Sequence, residues 1–223
     1  MTEEGLRLPL ARVKRDLQRF GLLPFTDPQA RSLVSIVAGA HVAGSWWGHP
    51  AGLLIYRVGE ALESDREVLF LKLWGGKQTL VHRRLWPPLV RIGRARTEWQ
   101  LAGIGEVSLQ LLASIEREHT IRSDLLSTGH LSGSRGSRAA LRDLEDRLLV
   151  LTRSVHTSTG AHALEAESWV AWRARVRAPR FLGTVASAQL AIENAARRLT
   201  PSVDPRRRFP WGRLRTKMRS ARP

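Results

Sequence analysis

The chain has 223 residues, no cysteine, and 36 Lys and Arg against 20 Asp and Glu, giving a formal charge of +16 and a pI near 11.7. The lack of cysteine excludes disulfides, thiolate-bound zinc and thiol catalysis, and no run of eighteen apolar residues exists to cross a bilayer. A hydrophobic content of 43% suffices for a core and excludes a wholly disordered basic protein.

The opening MTEEGLRLPL begins with acids and carries no signal-peptide apolar run, so a cytoplasmic protein is expected. In residues 7–20, Leu10, Val13, Leu17 and Phe20 recur at helical spacing, and Gly21 stops the helix. Asp27-Pro28 reads as an N-cap with proline at the first helical position, predicting a largely apolar helix from Pro28 to about Val42. The segment Gly44-Ser45-Trp46-Trp47-Gly48-His49-Pro50 breaks it as a tight loop, and a further helix runs from Ala51 to Glu63. The pattern then turns strand-like over 67–74. Gly75-Gly76 makes a two-residue hairpin turn, and 77–81 is the return strand. A helix follows over 82–94, with Pro87 and Pro88 marking a start or kink.

The second half predicts a helix over 106–117, a short helix over 120–126, and a Gly/Ser loop at 132–137. A third helix follows from Arg138 to about Leu148, striped by Ala140, Leu141, Leu144 and Leu148. Residues 149–156 read as a strand, 157–160 as a turn and 161–165 as the return strand. Helices over 168–175 and 185–199 close the body. The expected fold is therefore mainly α with short β-hairpins: a winged helix-turn-helix preceded by a helical and hairpin unit. Expected domains are 1–99, readable as a degenerate winged helix, then 100–200, then a flexible basic tail over 201–223.

The order of 106–167, with the segment LLVLTRSVHTSTGAHALEAESWVAW, resembles the winged-helix DNA-binding proteins that include the AlkZ-type DNA glycosylases. The stretches GSWWGHPAG and LWGGKQTLVHRRLWPP resemble small bacterial relatives of that group. The resemblance spans roughly residues 30–200 and rests mostly on apolar spacing. It implies a DNA-binding fold and a tie to DNA repair. The glycosylases carry a Gln-apolar-Asp or Gln-apolar-Gln motif. Gln18-Arg19-Phe20, Gln78-Thr79-Leu80, Gln100-Leu101-Ala102 and Gln110-Leu111-Leu112 all lack it, so no catalytic residue carries over.

Such an excess of cations opposes compaction unless a polyanion lies alongside, which points to nucleic acid. Of the 36 bases only Lys14, Lys72, Lys77 and Lys217 are lysine; a GC-rich genome would explain the choice of arginine but not the excess over acids. On the third helix of the second half, Arg135, Arg138, Arg142 and Arg147 are placed to meet phosphates or base edges. Asp143, Glu145 and Asp146 interrupt them, and Asp143 can pair with Arg147 at i, i+4. Arg153 and His156 belong to the wing, where His156 and His162 face one another across a turn without a third metal ligand. Lys72, Lys77, His82, Arg83 and Arg84 form a second basic cluster around the first hairpin.

From Asp204 onward eight bases face one acid, a local charge of +7: Arg206, Arg207, Arg208, Arg213, Arg215, Lys217, Arg219 and Arg222. Phe209 and Trp211 within this run either stack on bases or dock the tail on the body. Trp169 and Trp172 read as anchors of the last helices. The pairing Glu116 and Glu118 reads as solvent-exposed, and no nucleophile triad or phosphate-binding glycine loop is found.

The expectation is a nucleoid-associated protein that binds duplex DNA through phosphates, with weak sequence preference, the tail acting as a clamp. No cofactor or metal is called for, no membrane partner is expected, and a protein partner stays open. The alternatives are a glycosylase with an altered active site, and a winged helix that binds protein or RNA.

Overall fold

The computed structural model describes residues 3–124, 134–156, 162–200 and 204–214. The chain divides into two compact units: Met1–Trp86 with Gln189–Phe209, and Pro87–Ala188 with Pro210–Pro223. The division thus falls at Trp86/Pro87 rather than at 99/100, and residues near the C-terminus return to complete both units. Each unit is mixed, largely helical with one small antiparallel three-stranded sheet.

In the first unit, α1 (Glu3–Phe20) buries Val13 and Leu17, as its helical spacing requires. Gly21 stops it with φ 89°, a left-handed conformation that glycine adopts without a Cβ penalty. A strand that the spacing does not predict follows, β1 (Leu22–Pro24), with all three residues buried. The helix expected from Pro28 is much shorter: α2 covers only Leu33–Ala38. Asp27 does cap, but it caps a turn, its Oδ1 accepting from the amides of Gln29 and Ala30 at 2.9 and 2.8 Å. Ser32 is the true N-cap, in a reciprocal capping box with Ser35, and Gly39 ends the helix in the left-handed region. Two local capping arrangements compete here, and the serine pair sets the start.

Trp46–Gly48 form a 3₁₀ turn, and α3 (Gly52–Glu63) buries Ile55, Val58 and Leu62. The hairpin lies where expected, β2 (Val68–Trp74) and β3 (Lys77–His82), joined by Gly75 and Gly76 at φ 63° and 74°. Positive φ at both central residues is what a type I′ two-residue turn demands. The sheet order is β1-β3-β2, so the short strand after the first helix pairs with the returning arm of the hairpin. Arg83–Leu85 form a 3₁₀ turn, which runs into α4 (Trp86–Gly93).

The second unit continues with α5 (Glu98–Leu101) and α6 (Glu106–Glu118). Of the helix expected over 120–126, residues 125 and 126 lie outside the described residues, and the rest is not helical. Residues 120–122 form β4 (Thr120–Arg122), with β-branched Thr120 and Ile121 paired to Glu167 and Ala166. Ladder bonds and the packing of Ile121 against the core outweigh a helical pattern only two turns long. Helix α7 (Ser134–Asp146) starts inside the expected Gly/Ser loop. Then come β5 (Val150–His156) and β6 (His162–Ser168). The turn expected at 157–160 lies outside the described residues. The backbones of His156 and His162 are register partners.

The sheet order is β4-β6-β5, the same logic as in the first unit. Leu111, Leu112 and Ile115 of α6, Leu141 and Leu144 of α7, and Val150 and Ala166 of the strands make one core. Helix α8 (Trp169–Val176) buries Trp169 and Trp172, as expected. The Trp169 indole donates to the Leu148 carbonyl at 2.8 Å, and its ring lies against Gly93. Helix α9 (Val185–Arg197) follows, its residues from Gln189 onward belonging to the first unit. Among the described residues no helix is long and apolar enough to cross a membrane.

Candidate nucleic-acid interface

Helix α7 turns its apolar stripe inward and leaves Arg138 and Arg142 exposed, one turn apart on the outer side. Neither has an acidic partner among the described residues. Of the acids that follow Arg142, two are occupied elsewhere. Asp143 Oδ1 accepts from Arg147 Nε at 2.6 Å, and Glu145 is buried, accepting from the Thr152 hydroxyl at 2.5 Å. Asp146 stays exposed. The side chain of Arg135 lies outside the described residues.

Arg147 is a correction to the expected set. Its side chain is only 11% exposed, and besides Asp143 it donates through Nη1 to the carbonyls of Gln100 and Ala102, each at 2.9 Å. Gln100 returns the contact, donating through Nε2 to the Arg147 carbonyl at 3.2 Å. This guanidinium ties α5 to the end of α7 and is not available to a phosphate. Arg153 is exposed on β5 but pairs across the ladder with Glu165, its register partner. The side chain of His156 lies outside the described residues. Among the described residues no group of three or more His, Asp or Glu is placed to hold a metal.

The basic cluster around the first hairpin is partly absorbed by the fold. Arg83 donates to Glu67 at 3.1 Å, and His82 lies 3.9 Å from the same carboxylate. Burial pushes the His82 pKa down; Glu67 acts the other way, while Arg84 and Arg83 push further down. Arg84 donates to the carbonyl of Arg19, closing the C-terminal end of α1, and burial together with the charge of Arg198 lowers its pKa. Lys77 is exposed and Lys72 half-buried on the hairpin.

The tail departs most from expectation. Residues 204–214 are folded. Asp204 caps a 3₁₀ turn at Pro205–Arg208, and a helical turn follows at 210–214. In the first unit the Arg208 carbonyl accepts from the Gly75 amide at 2.7 Å, and its guanidinium lies over the Trp74 ring at 5.7 Å. Trp74 in turn donates to Asp27 Oδ2 at 2.9 Å, and Phe209 meets it edge-on at 5.5 Å between centroids. Burial raises the Asp27 pKa, but the Ala30 and Gln29 amides, the indole and Arg208 together outweigh it and hold the carboxyl below its usual range. Arg208 is therefore structural, while Arg206 and Arg207 stay exposed beside it.

In the second unit Trp211 is buried edge-on against Trp99 at 6.3 Å. That corrects its place among base-stacking candidates. Arg213 is half-buried. Burial lowers its pKa and Asp146 opposes that shift. Arg215 and Lys217 lie outside the described residues. The clue to this docking is the sequence Phe209-Pro210-Trp211, an apolar triplet inside an arginine run, which a polyanion-binding arm does not need.

Of the cations expected to meet nucleic acid, those exposed without an acidic partner among the described residues are Arg138 and Arg142 in the second unit, and Lys77, Arg206 and Arg207 in the first. Searches against protein-family models, curated proteins and solved structures find no match to this chain.

Proposed function

We propose that the protein binds duplex DNA through its phosphates, with weak sequence preference, and that the second unit is a winged helix using α7 as its groove-facing helix. The observation that carries the reading is the outer face of α7, where two arginines stand free while Asp143 and Glu145 are turned to internal partners. The order helix, strand, helix and hairpin, with the first strand paired to the hairpin's second arm, supports the winged-helix reading in both units. The charge of +16 supports a polyanionic partner.

In this reading α7 meets the major groove, where guanidinium forks bridge phosphate oxygens. Arg206 and Arg207, fixed at the first hairpin by Arg208, supply a second set of phosphate contacts from a pre-ordered segment. Ordering that segment in advance removes part of the entropic cost of binding.

A filter-binding series tests the partner class. Labelled duplex DNA is challenged with unlabelled duplex, single-stranded DNA and RNA at two salt concentrations. The reading expects duplex to compete best and affinity to fall steeply with salt. Preferential competition by RNA, or affinity insensitive to salt, would remove it.

A further inference from the structure

Away from α7, helices α1 and α2 of the first unit bound a cleft of about 350 Å³. Arg12, Arg15 and Asp16 from α1 line it, with Arg31 from the turn before α2 and Ser35 and Ile36 from α2 itself. On α1 the spacing of three and four residues puts Arg12, Arg15 and Asp16 on one side. Asp16 is buried, and its Oδ2 accepts from Arg31 Nε at 2.5 Å. That bond fixes the Arg31 fork while using one of its five N–H donors. Arg12 and Arg15 are exposed and have no acidic partner among the described residues. The Ser35 hydroxyl is already engaged, bonding to the Ser32 amide and carbonyl in the capping box. The arginines therefore supply the cleft's free donors.

One carboxylate cannot balance three guanidiniums, so the cleft carries a net charge of +2. A phosphomonoester carries about −2 at neutral pH and presents three acceptor oxygens. A diester of an unbroken backbone carries a single charge and is the poorer complement. Guanidinium forks match phosphate oxygens in pairs, which suits a site made of arginine and no lysine. We infer that this cleft binds a phosphomonoester, held by Arg12, Arg15 and Arg31, with Asp16 as the residue that orients Arg31. Two carriers share that chemistry: the phosphorylated 5′ end of a DNA strand, and a small phosphorylated molecule. The site does not depend on α7 and goes beyond the duplex-binding reading.

The test is calorimetric titration of the full chain with inorganic phosphate, followed by binding to one short duplex bearing either 5′-phosphate or 5′-hydroxyl ends. Arg12→Gln and Arg15→Gln remove exposed, unpaired side chains, so both variants keep the fold. Each should weaken phosphate binding about ten-fold, the effect of deleting one or two charge-assisted hydrogen bonds. Arg57→Gln, at a residue of α3 that lines neither this cleft nor α7, should leave phosphate binding unchanged. A 5′-phosphate advantage that disappears in Arg15→Gln assigns the strand end. Equal affinity for the two duplexes, with phosphate binding still weakened in the variants, assigns a small phosphorylated molecule. Phosphate affinity undetectable in the wild type, or the same in both variants as in the wild type, overturns the proposal.

Discussion

The two units share a sheet topology and present opposite chemistry on the helix before the hairpin. On α3, Leu53 is 61% exposed and Tyr56 38%, Arg57 is paired with Glu60 at 3.2 Å, and the Tyr56 hydroxyl donates to the same residue. Trp47, 63% exposed, stacks on Trp46 just ahead of that helix. On α7 the exposed positions include Arg138 and Arg142, neither paired with an acid among the described residues. One helix shows apolar and self-compensated groups, the other free cations. The hairpins differ too: the first is tied to the Arg206–Arg208 turn through Gly75. Topology therefore does not distinguish the two helices; their surface chemistry does. Under the proposed function, the asymmetry predicts that duplex contact falls on α7 and that α3 contributes little.

The sharpest way to break the account of the tail is to remove its two aromatic anchors. Phe209→Ala and Trp211→Ala should each cost about 3–5 kcal/mol in chemical denaturation, the usual result of emptying a buried aromatic site. Hydrogen exchange should then show the weakening in the first unit for Phe209→Ala and in the second for Trp211→Ala. Wild-type stability in either variant would restore the free arm that the arginine run suggests. Truncation after Leu214 separates charge from anchoring. It deletes Arg215, Lys217, Arg219 and Arg222, so the log–log salt slope should fall by as much as about four. A slope that does not move would show that these four cations make no phosphate contact.

Smaller effects probe the packing within each unit. A Cβ on Gly93 would sit 2.2 Å from Trp169 Nε1, a close approach that only glycine permits. Gly93→Ala should cost about 1–3 kcal/mol through overpacking of the second unit, read in denaturant melts. In the first unit, Asp27→Asn should cost about 1 kcal/mol at neutral pH, because hydrogen bonds and the charge of Arg208 favour the ionised carboxylate. A carboxyl held below its usual pKa stabilises the fold above about pH 4 and loses that contribution as pH falls through the lowered value. The stability curve of Asp27→Asn should accordingly fall less steeply than the wild-type curve in acid. Parallel curves would mean that Asp27 is not the group responsible.

Much of the helical and hairpin plan was legible in the sequence because long amphipathic patterns and a Gly-Gly turn are local signals. The spacing of Val13 and Leu17, of Leu141 and Leu144, and the turn at Gly75-Gly76 each specify one outcome. The strands at Leu22–Pro24 and Thr120–Arg122 were not legible. Three-residue segments carry no period of their own and exist only because β3 and β6 offer them a partner. The start of α2 was misplaced because Asp27 and Ser32 are both competent caps, and which one starts a helix depends on tertiary packing. Arg138 and Arg142 were legible as exposed bases of an amphipathic helix. The internal roles of Arg147 and Arg208 were not, since their partners lie 45–47 residues away at Gln100 and Ala102, and far upstream at Asp27 and Trp74. The cleft at Arg12, Arg15 and Arg31 was missed for the same reason, because only the packing of α1 against α2 brings those residues together.

The claim that α7 and not α3 meets the polyanion is tested most directly by the salt dependence of duplex binding in three proteins: wild type, Arg138→Gln with Arg142→Gln, and Arg57→Gln. The account predicts a log–log slope lower by about two in the α7 double variant, one for each arginine no longer neutralising a phosphate, and a wild-type slope in Arg57→Gln. An unaltered slope in the double variant, or an equal fall in Arg57→Gln, would contradict it.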